Sequence, residues 1–93
     1  MVSKVNASHI LVKTEGEAYV ILKAIREGKS FEEIAKEKSQ CPSKRKGGNL
    51  GWFGRGRMVK EFEEACFTAQ KGKIIGPVKT QFGYHVIRIE DME

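Results

Sequence analysis

The sequence predicts an α+β fold, and three observations carry that prediction. Two-residue alternation of apolar groups marks stretches near both ends of the chain. Two capping boxes near the start each open a run of apolar residues at helical spacing. A glycine-rich stretch, 47–58, then separates those helices from a further one. The order read from these signals is strand, helices, strand, helix, and two closing strands with antiparallel pairing expected between them.

Val5 to Val12 reads as the first strand. Val5, Ala7, His9 and Leu11 fall on one face and Asn6, Ser8, Ile10 and Val12 on the other, by the period of two. Both faces carry apolar groups, so a central place in the sheet is expected. Thr14-Glu15-Gly16-Glu17 has capping-box spacing. Ala18, Ile21, Leu22 and Ile25 follow at i, i+3, i+4 and i+7, and Gly28 fits the stop. Ser30-Phe31-Glu32-Glu33 is a second box. It opens a short helix with Phe31, Ile34 and Ala35 as its stripe, ending near Ser39. Gln40 to Lys46, with Pro42 and a basic run, reads as a loop. Leu50 to Phe53 reads as a short strand. A helix is expected from Val59 or Lys60 to about Gln70, carrying Phe62, Ala65, Cys66 and Ala69 at helical spacing, with Gly72 beyond it. Ile75 to Lys79 reads as an edge strand, because Pro77 has no N–H for a ladder. Thr80-Gln81-Phe82-Gly83 connects it to a last strand from Tyr84 to Glu90, with His85, Ile87 and Ile89 on one face.

Composition narrows the function. The chain has 93 residues, 40% hydrophobic and 31% charged, enough for one small domain over 1–93 with a modest core. No apolar run approaches the roughly 20 residues of a membrane span. Met1-Val2-Ser3-Lys4 does not read as a secretory leader, so a cytoplasmic protein with no membrane partner is expected; a monomer is expected as well. Cys41 and Cys66 form no CxxC pair, and neither has metal-ligand spacing with His9 or His85. Free thiols are expected, with no metal and no cofactor. Net charge is +5, with the excess in Lys44-Arg45-Lys46, Arg55, Arg57 and Lys60. That patch is either a solvated face or an attractor of acidic peptides or nucleic acid. No nucleic-acid motif accompanies it.

The glycine-rich stretch is the most informative. Five of its twelve residues are glycine, and Leu50, Trp52, Phe53 and Met58 stand between them. Open backbone beside large apolar groups suits the holding of an extended peptide. A strand with tight turns packed into the core has the same composition, and this stretch alone does not separate the two. His9 and Cys41 are equally two-sided. Each reads either as a buried structural side chain or as part of a site.

Four motifs in order remove that ambiguity. They are Ala7-Ser8-His9-Ile10-Leu11-Val12; Cys41-Pro42-Ser43 followed by Gly47-Gly48-Asn49-Leu50-Gly51-Trp52-Phe53; Gly56-Arg57-Met58-Val59-Lys60-Glu61-Phe62-Glu63; and Gly76-Pro77-Val78-Lys79-Thr80-Gln81-Phe82-Gly83-Tyr84-His85-Val86-Ile87. With them the chain resembles a parvulin-type peptidyl-prolyl cis/trans isomerase of the minimal, single-domain kind. The resemblance implies an FKBP-like fold, a four-stranded antiparallel sheet surrounded by four helices in the order β-α-α-α-β-α-β-β. It implies that His9 and His85 are the histidine pair beneath the site and that Cys41 faces the substrate carbonyl. Leu50, Met58 and Phe62 would receive the proline ring, and Thr80 and Phe82 would belong to the loop that closes over the site. The implied activity is non-covalent rotation about X–Pro bonds in peptides and unfolded or flexible segments. The phosphate-selective branch of the family has a long basic loop after the first strand. Here Val12-Lys13-Thr14 runs straight into the first capping box, so no preference for phosphoserine–proline is expected. Phe82 at the rim leans the site toward apolar residues before proline. A non-catalytic peptide-binding or chaperone module, and a basic nucleic-acid-associated protein, are the competing readings of the same residues.

Overall fold

The structure is a computed structural model, and it describes residues 2–93. Its elements are β1 (Lys4–Val12), α1 (Glu15–Arg26), α2 (Phe31–Lys38), a short 3-10 helix (Pro42–Lys46), β2 (Asn49–Gly54), α3 (Lys60–Thr68), β3 (Ile74–Thr80) and β4 (Gly83–Met92). The four strands make one antiparallel sheet in the order β2-β1-β4-β3. The first and last strands of the chain are therefore the two central ones, and the two short middle strands are the edges.

At both boxes the side-chain N-cap forms. The Thr14 hydroxyl oxygen accepts the Glu17 N–H at 3.2 Å, and the Ser30 hydroxyl oxygen accepts the Glu33 N–H at 3.2 Å. Each satisfies a backbone donor that the first helical turn leaves without a partner. The face assignment of β1 also holds. Val5 and Ala7 pack with Phe53, Phe62, Cys66, Phe67, Ile87 and Ile89 on the α3 side of the sheet. Ile10, Val12 and Val86 pack with Ala18, Ile21, Leu22, Phe31 and Ala35 under α1 and α2. Two apolar layers thus sandwich the central strands.

Four details differ from the sequence expectations. The third of the four expected helices, read locally as a loop, is a five-residue 3-10 turn. Pro42 at its start has no N–H to donate, and Lys44 N–H bonds to Cys41 O at 3.0 Å in the i→i+3 pattern. Gly47 at φ 67° then ends it. The helix expected to reach Gln70 stops at Thr68, because Ala69 has turned to extended backbone. The last strand runs on from Glu90 to Met92, paired with the start of β1. Trp52 is 43% exposed on the outer side of edge strand β2, whereas its neighbour Phe53 is buried. The glycine-rich stretch therefore divides its apolar groups between core, cleft and solvent. Pro77 sits on edge strand β3 where its pairing with β4 slips between Ile75 and Val78, so the missing donor costs no central ladder bond.

Candidate active site

The site is built where β2 lets go of β1. Their last paired residues are Ser8 and Asn49, and beyond them the outer edge of β1 is claimed by loops. Gly48 O accepts the His9 N–H at 2.9 Å. The buried Ser39 hydroxyl oxygen accepts Leu11 N–H at 3.0 Å and Cys41 N–H at 3.3 Å. Gln40 N–H donates to Leu11 O at 2.8 Å. These bonds satisfy buried backbone groups and hold Cys41 beside the strand that carries His9. Gly48 is required for the approach. Its φ is +92°, and a Cβ there would stand 2.4 Å from His9 O.

His9 and His85 meet beneath the cleft. β1 and β4 pair antiparallel with His9 opposite Ile87 and Leu11 opposite His85, which places the two imidazoles on one face. Their Nδ1 atoms are 2.9 Å apart, and their ring planes lie within 16° of one another. One Nδ1 must carry the proton and the other accept it. The Thr80 hydroxyl lies 2.7 Å from His85 Nε2, and its oxygen also accepts the Phe82 N–H at 3.1 Å. The polar chain runs Thr80, His85, His9 and ends at His9 Nε2, which is buried without a partner among the described residues. Burial, joined for His9 by the neighbouring His85, lowers the pKa of both rings from 6.5 to about 4. At neutral pH both imidazoles are uncharged. The Phe62 ring stands edge-on to both, with centroids 5.4 Å from His9 and 5.2 Å from His85.

Above this pair lies a cleft of about 530 Å³. Leu50 from β2, Met58 from the turn before α3 and Phe62 from α3 make its apolar wall. His9 and His85 form the floor, Cys41 and Pro42 one rim, and Phe82 another. Seven of the eight residues expected at the site line one hollow. Thr80 does not. It ends β3, buried, and touches the site through His85 and the Phe82 N–H, so it belongs to the base of the hairpin and not to a loop over the opening. Phe82, 60% exposed, is the residue at the hairpin tip. Leu11, Gln40, Pro42, Arg57 and Val59 also line the cleft. For Leu11 the strand period that placed it with His9 was the available signal. The others are immediate neighbours of Cys41 and Met58, and nothing in their residue type marked them. Cys41 is partly buried and Cys66 fully, and both are free thiols. Among the described residues, no group of three or more His, Cys, Asp and Glu side chains is placed to hold a metal.

An apolar hollow over two neutral imidazoles, on an antiparallel sheet of order β2-β1-β4-β3, defines a parvulin-type prolyl isomerase domain. Residues 8–91 match the model of the rotamase family, the PPIC-type PPIase domain, and the chain belongs to that family. Among its relatives is the foldase protein PrsA of Geobacillus kaustophilus, 50% identical over 91 residues, which are 97% of this chain and 32% of that protein. The crystal structure of the peptidylprolyl isomerase PrsA from Bacillus anthracis matches with a TM-score of 0.96 at 45% identity, over 99% of this chain and 43% of that one. The solution structure of the parvulin of Nitrosopumilus maritimus matches with a TM-score of 0.84 at 44% identity, over 94% and 95% of the two chains. The chain spans about a third of the length of the curated relatives it matches.

Proposed function

We propose that this domain catalyses cis/trans isomerisation of X–Pro bonds in peptides and in unfolded or flexible protein segments, without covalent chemistry and without selectivity for phosphoserine. The observation that supports this most directly is the meeting of Leu50, Met58 and Phe62 with Cys41 and two uncharged imidazoles in one cleft.

The chemistry follows from the bond. The barrier to rotation about a peptide bond is about 18–20 kcal/mol and comes from amide resonance. Cis and trans X–Pro differ by only about 0.5–1 kcal/mol, so no energy source is needed. The half-rotated amide has lost its resonance and is less dipolar than the planar one. A dry, apolar seat for the proline ring favours it over the ground state. Each ~1.4 kcal/mol of such preference is worth tenfold in rate. The neutral imidazoles fit this role, since a charged ring under the seat would bring water with it. In this reading the Cys41 thiol sets local polarity at the substrate carbonyl, and the histidine pair holds the floor in shape. Rotation needs no nucleophile and no proton transfer.

The basic run Lys44-Arg45-Lys46 is exposed at the end of the 3-10 helix and does not line the cleft. Nucleic-acid binding is no part of the reading. A cytoplasmic, monomeric state goes with it, to be checked by fractionation and sedimentation.

The deciding experiment is an NMR-exchange or protease-coupled isomerase assay on a panel of X-Pro peptides, including paired Ser-Pro and phosphoSer-Pro. Catalysis of apolar X-Pro peptides with no preference for the phosphorylated partner is expected. Binding without acceleration would leave a peptide-holding module, and strong phosphoserine selectivity would overturn the specificity assigned. Cys41→Ala should retain measurable activity and Cys41→Asp more. Loss to background in both would restore an obligatory role for the thiol.

A further inference from the structure

Among the described residues, Arg57 is the one Arg, Lys, Asp or Glu that lines the cleft, and the two imidazoles there are neutral. No carboxylate is among the lining residues. Two arginines stand on the turn between β2 and α3, and they are not equivalent. Arg55 is engaged: its Nη1 lies 3.3 Å from Glu63 Oε2, and its guanidinium stacks over Phe67 at 4.4 Å. Arg57 has no ion-pair, hydrogen-bond or ring partner among the described residues, and it is exposed at the cleft edge.

Its position along the site is set by the chain. Arg57 immediately precedes Met58, part of the wall that seats the proline ring. Cys41 and Phe82 lie at the rims assigned to the carbonyl and side chain of the residue before proline. With those rims given to the residue before proline, the Arg57 edge beside Met58 is left for the residue after it. A guanidinium offers a fork of donors that fits a carboxylate.

We infer that Arg57 is a specificity-determining residue that selects substrates with an acidic side chain on the residue following proline, through an ion pair to its carboxylate. The inference rests on the isomerase reading. It adds that the two flanks of proline are read by opposite chemistry, apolar before the ring at Phe82 and anionic after it at Arg57.

The test uses three peptides that differ only after proline, Ala-Pro-Glu, Ala-Pro-Gln and Ala-Pro-Lys, with Glu-Pro-Ala as a fourth. Turnover by NMR exchange and Kd by chemical-shift titration are both read, for the natural chain, Arg57→Gln, Arg57→Lys and Arg57→Glu. An exposed ion pair corresponds to roughly twofold to fivefold discrimination. The natural chain should favour Ala-Pro-Glu over Ala-Pro-Gln by that factor in Kd and KM, with kcat little changed, and the preference should fade at high salt. Arg57→Gln should abolish it, Arg57→Lys should keep part of it, and Arg57→Glu should turn it toward Ala-Pro-Lys. Turnover with a Glu/Gln ratio that Arg57→Gln leaves unchanged would overturn the inference and leave the isomerase reading intact. Glu-Pro-Ala bound in preference to Ala-Pro-Glu would also overturn it. Arg57-dependent selection in Kd without any turnover would uphold the inference about the site and refute the activity. Absence of both binding and turnover would sink the two together.

Discussion

Acidification offers the sharpest test of how the floor of the cleft is held. His9 and His85 have their pKa lowered to about 4 in the fold, against 6.5 for an unburdened ring. The unfolded chain therefore takes up protons at a pH where the folded chain refuses them. A histidine whose folded pKa is depressed contributes stability that is complete above its unfolded pKa. That stability drains away as pH falls from about 6.5 toward about 4. Between about pH 7 and about pH 5, one such ring loses about 2 kcal/mol and both together no more than about 4. That is a large part of the 5–15 kcal/mol typical of a domain. Burial supplies most of the penalty. The 2.9 Å Nδ1–Nδ1 contact adds to it, because double protonation leaves two donors facing each other.

The measurement is urea unfolding by circular dichroism at about pH 7, 6 and 5, reading the midpoint at constant m. The control is His85→Phe, which keeps a flat ring and removes one titration. The wild-type midpoint should fall steeply across this range, and the variant's by about half as much. Glu32, held below its usual 4.5 chiefly by a hydrogen bond from Arg88, loses its contribution only at lower pH, so the window belongs to the imidazoles. A midpoint that does not move between pH 7 and 5, or a variant as acid-sensitive as the parent, would refute the reasoning.

Gly48→Ala places a Cβ 2.4 Å from His9 O at φ +92°. It should cost on the order of 2–3 kcal/mol and displace His9, read as a lowered melting temperature together with shifted imidazole resonances. Met58→Ala should lower kcat/KM tenfold or more while moving the melting temperature only a few degrees, because Met58 is only partly buried at the cleft wall. Phe62→Ala, by contrast, opens the core and should cost about 3–5 kcal/mol, so an unfolding curve must accompany any rate. A thiol reagent at neutral pH should label Cys41 and spare Cys66 until the chain unfolds, since burial raises the Cys66 thiol to about 12. Equal labelling rates for the two would contradict the packing of α3.

The sequence by itself settled most of the elements and their faces. Thr14, Ser30 and Gly28 mark the ends of helices through local hydrogen bonds and backbone freedom, and alternation sorted Val5, Ala7, His9 and Leu11 from Ile10 and Val12. These are short-range effects, legible wherever a few neighbouring residues decide the outcome. The residues of the cleft were legible only through their joint resemblance to one family, since His9 or Cys41 alone fits a buried structural role equally well. Tertiary structure decided the rest. It put the two ends of the chain at the centre of the sheet, brought Nδ1 of His9 to Nδ1 of His85 across 76 positions, and buried both rings deeply enough to keep them neutral. It also moved Thr80 beneath the site, turned Trp52 toward solvent, and left Arg57 without a partner among the described residues while occupying Arg55 with Glu63 and Phe67. Partner choice and desolvation depend on what distant segments place beside a side chain, and no local pattern carries that information.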